Sequence, residues 1–399
     1  MKRKQVVDEE IDSDEIPDVS DEEPQESEVE DFFTETPEDK KIRLANEYLE
    51  NLKKNAPETE DIDERLSNDY EEEIGKRFDP IFYSKTTELQ RFRAHDRGRP
   101  TCLAIGPGCV FSGAKDGSIV RVNLEPRKKI DIAPPSRVQI LCIAYNSKTS
   151  QVASGDSSGI ISLWDSENGG IVLEMKGHRG GVTGIAFQTK NNQLFSCSYD
   201  GTIKVWDCEN GNCLSTLFGH QLEPMAIDFC GVAVSCGADR TVRMWKFEEE
   251  KQFVYHGTTI KASIDCVSMV NSKYSVSGSQ DGNINLWDMS KKKPIATVTN
   301  AHGKGYWITA ICALRFRKVF ASGSYNGTVK FWYITNDNKI EPAFEVQLIG
   351  FINDIRFSEK GDFVAVQVSQ EMRYGKWIPS IQEARQGVYI IGLTEIKAE

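Results

Sequence analysis

Between Gln193 and Asp207 the chain reads QLFSCSYDGTIKVWD, and this pattern returns along most of its length. Two runs, Leu194 to Ser198 and Thr202 to Trp206, have the period-two character of half-buried strands. Between them Tyr199-Asp200-Gly201 supplies an Asp-Gly tight-turn signal, because glycine accepts the positive φ such turns demand. Gly177-His178 and a further strand-like run, Val182 to Phe187, lie upstream. Trp164, Trp206, Trp245, Trp287 and Trp332 close five such units, spaced 42, 39, 42 and 45 residues apart. A sixth starts at Lys115-Asp116-Gly117-Ser118-Ile119 and carries Val122 at the tryptophan position, 42 residues before Trp164. One unit cannot bury both of its faces, so the copies must stack on one another.

The order Gly-His, strand, strand, Asp-Gly, strand, Trp-Asp resembles the WD repeat, one unit per propeller blade. The expected fold class is all-β: a seven-bladed WD40 β-propeller with an acidic, partly helical N-terminal extension. The seventh unit is degenerate, with Ile352 to Phe357 and Asp362 to Val368 as two strands and Val388 to Ile391 as a third after a long insertion. Thr87 to Arg93 is expected to add that blade's outer strand, closing the ring without an exposed edge.

Of 399 residues, 48 are Lys or Arg and 60 Asp or Glu, a net charge of −12. The sum hides two halves. Residues 1–92 hold 30 acidic against 13 basic residues, net −17, and residues 93–399 hold 30 against 35, net +5. Such asymmetry suits a disc that meets a polyanion and an arm that meets basic partners or stays solvated. All ten cysteines lie in the repeats without a C-x-x-C spacing, as small buried thiols of a reducing compartment do. No apolar run reaches the ~18 residues of a membrane span and the N-terminus lacks a signal-peptide core, so an intracellular, soluble protein is expected.

Three regions follow in order. Residues 1–35 form an acidic tail too poor in apolar side chains to repay ordering. Within it Lys2-Arg3-Lys4 is a weak nuclear-import fragment, and Ser20 and Ser27, each with an acid three residues on, suit either an acid-directed kinase or a solvated tail. Residues 36–80 form an amphipathic helical arm. Thr36-Pro37-Glu38-Asp39 is a helix start, Ile42, Ala45, Leu49 and Leu52 line one face of a helix that ends near Asn55-Ala56-Pro57, and Ile62, Leu66, Tyr70 and Ile74, four apart, mark a second helix. The arm packs on the propeller or binds a partner. Residues 87–393 form the propeller.

The five histidines stand 25–31 residues ahead of their unit's tryptophan position, in the loop before the first strand. The WD-repeat resemblance implies a structural role: His178 bonds Asp200, with Ser196 (or Ser198) and Trp206 completing a buried network. Two motifs mislead. Gly155-Asp156-Ser157-Ser158-Gly159 matches a nucleophile elbow but joins two strands instead of a strand and a helix. Gly108 to Lys115 nearly matches a P-loop, but Ala114 breaks the Gly-Lys pair and no helix follows. The sequon Asn326-Gly327-Thr328 falls on a hairpin. No catalytic residue, metal site or cofactor is expected.

Beyond the generic repeat, several strings resemble the WD-repeat proteins of the U3 small nucleolar ribonucleoprotein. They are TPEDKKIRLANEYLENLK in the arm, then SGDSSG, GHRGGVTGIAF, TLFGH, SIDC and GFINDIRF in the blades, and GDFVAVQVSQEMRYGKW and QEARQGVYIIGL in the seventh. The resemblance covers nearly the whole chain from Thr36. It implies a nuclear, nucleolar, non-enzymatic scaffold, monomeric within a large complex. Its partners would be U3 RNA at the B/C motif, a kink-turn-binding protein and other box C/D and processome proteins, in small-subunit pre-rRNA processing.

Phosphates and unpaired bases are read by cations beside aromatic rings, which makes Arg373, Lys376, Tyr374 and Trp377 of the seventh-blade insertion and Lys304, Tyr306 and Trp307 candidates. Arg97, Arg99, Arg179 and Arg240 in neighbouring loops are second in rank. For any one of these, a packing or solvated-rim role is the competing reading. Blade one lacks its tryptophan and Ser158 replaces the blade-two aspartate, so those two networks depart from the pattern. The alternative function is a ubiquitin-ligase substrate receptor or another protein-interaction propeller. Such receptors carry Arg three residues after the tryptophan, where this chain has Glu167, Glu209 and Ser290.

Overall fold

The computed structural model describes residues 81–96, 98–133, 138–188, 191–247, 251–257, 262–375 and 378–397. The tail at 1–35, the arm at 36–80, Arg97, Lys376 and Trp377 lie outside the described residues. Every regular element described is a strand, and the strands make seven four-stranded antiparallel sheets. Blade three shows the rule. Val182–Gln188, Gln193–Ser198, Thr202–Asp207 and Cys213–Phe218 pair in sequence order, and Gly201 at φ +80° makes the central hairpin turn. Innermost strands of successive blades touch around a closed ring, with Phe351–Phe357 of blade seven back against Pro100–Gly106 of blade one.

Blade seven closes the ring. Its order is Phe351–Phe357, Phe363–Ser369, Gly387–Lys397 and then Ile81–Phe92 from the other end of the described chain. That outer strand begins six residues before the Thr87 read from the sequence, and its partner runs from Gly387 to Lys397 instead of ending at Ile391. Leu89 pairs with Ile391 and Phe92 with Val388, while Ile81 reaches Lys397 beyond an irregularity between Lys85 and Leu89. Backbone pairing continues past the residues whose alternation made the strand legible, because ladder hydrogen bonds need no apolar side chain.

The core lies between blades. Ile161, Leu163 and Met175 of blade two pack with Val182, Leu194 and Trp206 of blade three, all essentially solvent-free. Trp206 is 1% exposed and Trp287 fully buried, so truncating either to alanine would cost about 3–5 kcal/mol. Strands buried on both faces explain the near-continuous apolar runs: all six residues of Val319–Ser324 are buried.

Candidate functional site at the channel mouth

In each blade the loop before the first strand and the hairpin between the second and third lie at the same end of the sheet, so these loops together make one face of the disc. Polar networks pin them. In blade three His178 Nδ1 meets Asp200 Oδ2 at 2.9 Å, His178 Nε2 meets Ser196 Oγ at 2.8 Å, and Trp206 Nε1 donates to Ser196 Oγ at 2.8 Å. Burial lowers the His178 pKa against the pull of Asp200, so the ring is neutral. Burial also opposes ionisation of Asp200, but hydrogen bonds from Thr202, the Arg179 N–H and His178 outweigh it and hold its pKa at about 2. Blade four repeats the set with His220, Asp239, Ser235 and Trp245.

The irregular blades solve the same problem differently. In blade two Asp156, two residues before Ser158, takes over the turn, accepting from the Ser158 N–H and hydroxyl and from the Ile160 N–H. In blade one Ser112 Oγ accepts from Gln367 of blade seven in place of an indole. His256 departs from the reading that placed all five histidines in loops. It is the exposed last residue of the strand Lys251–His256, paired with Thr241.

At this face every first strand carries the same defect. Its register with the second strand skips one residue: Thr101, Leu141, Thr183, Met225, Asp265, Thr309 and Asn353 in blades one to seven. Such bulges re-aim a side chain and free main-chain groups from the ladder. The seven residues therefore ring the mouth of the central channel. Thr101, Thr183, Thr309 and Asn353 each donate to a carbonyl of the next blade, those of Ile140, Pro224, Ile352 and Pro100, at 2.6, 2.6, 2.5 and 2.8 Å.

The blade-seven insertion uses this ring as its seat. Arg373 Nη2 donates to Thr183 O at 2.7 Å, Tyr374 Oη donates to Thr183 O at 3.1 Å and is 3.3 Å from Met225 O, and Asn353 Nδ2 donates to Glu371 O at 3.0 Å. The Arg373 guanidinium lies 4.6 Å from the Tyr374 ring centre. Arg99 and Lys115 both pair with the Glu371 carboxylate. Arg373, Tyr374 and Arg99 thus each give a donor to holding the insertion across the mouth.

The other candidates face outward. Arg179 and Lys304 are exposed in loops before first strands. Arg240, also exposed, adopts φ +63° where hairpins of other blades carry glycine. Tyr306 is 38% exposed and packs on Tyr325, with ring centres 5.3 Å apart, and half-buried Trp307 meets the same Tyr325 edge-on at 6.0 Å. Asp265, Gln280, Met225 and Glu371 escaped the sequence reading. The one available signal was alignment of the repeats, which sets Asp265 at the position of Thr101, Thr183 and Thr309.

Residues 133–165, 169–207, 211–246, 250–288 and 292–333 each match the WD domain, G-beta repeat family. Mouse (Mus musculus) U3 small nucleolar RNA-interacting protein 2 is 34% identical over 395 residues, spanning 90% of this chain and 82% of the mouse protein. The chain belongs to the U3 small nucleolar RNA-interacting protein family. Its propeller is similar to the crystal structure of the RRP9 WD40 repeats, with a TM-score of 0.74 and 35% identity over 79% of this chain and all of that one. Ribosomal RNA-processing protein 9 of Saccharomyces cerevisiae is 26% identical over 240 residues, 42% of this chain and 41% of the yeast protein.

Proposed function

We propose that this protein is a non-catalytic scaffold of the U3 small nucleolar ribonucleoprotein, acting in the nucleolus in small-subunit pre-rRNA processing. The observation that carries the reading is the 34% identity to the mouse U3-interacting protein across 82% of its length. In the finer reading the loop face recognises the B/C motif of U3 RNA beside a kink-turn-binding protein, and the chain is a monomer within that assembly.

The chemistry of the face is consistent with this. Arg179, Arg240 and Lys304 are exposed cations that need no rearrangement to meet phosphates, and Tyr306 offers a partly exposed ring to an unpaired base. Arg373, Tyr374 and Arg99 serve indirectly by fixing the insertion that carries Lys376 and Trp377. Affinity purification of the full-length protein after ultraviolet crosslinking, with sequencing of the bound RNA, tests the reading. Enrichment of U3 RNA around its B/C motif is the expected result. RNA at the level of an unrelated propeller, with ubiquitin-ligase subunits co-purifying instead, would overturn it.

A further inference from the structure

Asp265 does not fit the ring it belongs to. Four of its counterparts donate to the next blade, and Leu141 and Met225 are apolar, but an ionised carboxylate has no proton to give. Its oxygens instead accept from Ser263 Oγ at 2.6 Å and Gln280 Nε2 at 2.9 Å. Burial pushes its pKa up, opposed by those two hydrogen bonds, and among the described residues no cation neutralises it. Arg373, on the insertion, donates to the Thr183 carbonyl instead.

The insertion also leaves this sector open. It is seated on blades one, three, four and seven, and it walls one side of a cavity of about 390 Å³ that reaches blades five and six. The walls include Asp265, Tyr199, Trp307, Met225 and Met372, with Arg373 of the insertion on the side held by Thr183. That volume lies within the range of specific ligand pockets, mostly apolar with a few placed polar groups. A desolvated carboxylate between aromatic walls attracts a cation through both the charge and the ring faces. The same carboxylate repels phosphate, so RNA is not the occupant that complements it.

We propose that this open sector is a pocket for a basic side chain, arginine or lysine, presented by a protein partner, with Asp265 as its counter-ion and Tyr199 and Trp307 as its walls. The pocket is separate from the cations assigned to RNA, so either reading can fail without the other.

The full chain, with its seven methionines labelled in their methyl groups, is titrated with Nα-acetyl-arginine methylamide, the lysine counterpart and the uncharged citrulline analogue. The Met225 and Met372 methyl resonances are expected to shift saturably, at millimolar concentrations, with the two cations only. Asp265→Asn should weaken the arginine probe about tenfold, the scale of one desolvated ion pair, and leave U3 RNA affinity unchanged. Where that variant does not fold, Tyr199→Leu decides: its side chain is 39% exposed, and about threefold weaker binding of the cation alone supports the pocket. Equal shifts with citrulline, or arginine binding indifferent to both substitutions, would overturn it. So would arginine binding that appears only in Lys261→Ala, since Lys261, outside the described residues, would then be the native counter-ion.

Discussion

Gln367 of blade seven donates its Nε2 proton to Ser112 Oγ of blade one at 2.9 Å, in the position an indole N–H takes within each of blades two to six. The same Ser112 oxygen meets His95 Nε2 at 2.9 Å. Blade one, which has Val122 where a tryptophan belongs, thus completes its network with a side chain from the blade that closes the ring. A polar replacement works there because Gln367 and Ser112 are both fully buried and each needs a partner.

Gln367→Leu should therefore destabilise the propeller by roughly 1–3 kcal/mol, since it removes one partner of a buried pair and leaves the rest of the network desolvated. Urea unfolding measures this. A variant as stable as the parent would show that Ser112 is satisfied by His95 alone.

Acid should weaken the fold through its buried histidines, His95 and His302 above all. Burial lowers the pKa of His95 to about 4, against the pull of Asp116, and that of His302 to about 3, from an ordinary 6.5. Between those values and 6.5 the unfolded chain binds protons that the native state refuses, so stability falls as pH drops through 6.5. The stability difference between the parent and His302→Gln should then be roughly 2 kcal/mol smaller at pH 5 than at pH 7. An unchanged difference would mean that the folded ring takes up its proton normally.

Closure of the ring rests on a strand distant in sequence from its partner. Removal of residues 1–93 deletes Ile81–Phe92 and bares the edge of Gly387–Lys397, whereas removal of residues 1–80 leaves the pair intact. The longer truncation should melt at least about 5 °C lower and aggregate more readily. Equal melting temperatures would show that the seam strand is dispensable.

Exposed and seated arginines should separate cleanly. Arg240→Ala is expected to leave the melting temperature unchanged, weaken U3 RNA binding and lower the slope of log affinity against log salt by about 0.7–0.9. Arg373→Ala removes the donor to Thr183 O and should lower the melting temperature, with any loss of RNA binding following from the displaced insertion. An Arg240→Ala protein with unaltered affinity and salt slope would take the blade-four hairpin out of the interface.

Whatever is local and repeated is legible in the order of residues. Asp200-Gly201 makes its turn within four residues, Trp206 and Ser196 meet across one hairpin, and His178 stands one strand away. Short separations and a fixed period let such contacts be read from spacing alone. The site is assembled from residues far apart in the chain. Arg373 and Thr183 are 190 residues apart, Gln367 and Ser112 are 255 apart, and no local rule relates the members of either pair. Arg373 and Tyr374 looked like surface ligands because charge beside an aromatic ring has the same composition whether it faces solvent or a channel. What turned them inward is the ring of seven bulges, which frees the Thr183 carbonyl at the mouth as an acceptor and sets Asp265 there with two hydrogen-bond donors but, among the described residues, no cation. A bulge is a mismatch between two strands, and it exists only once both have paired.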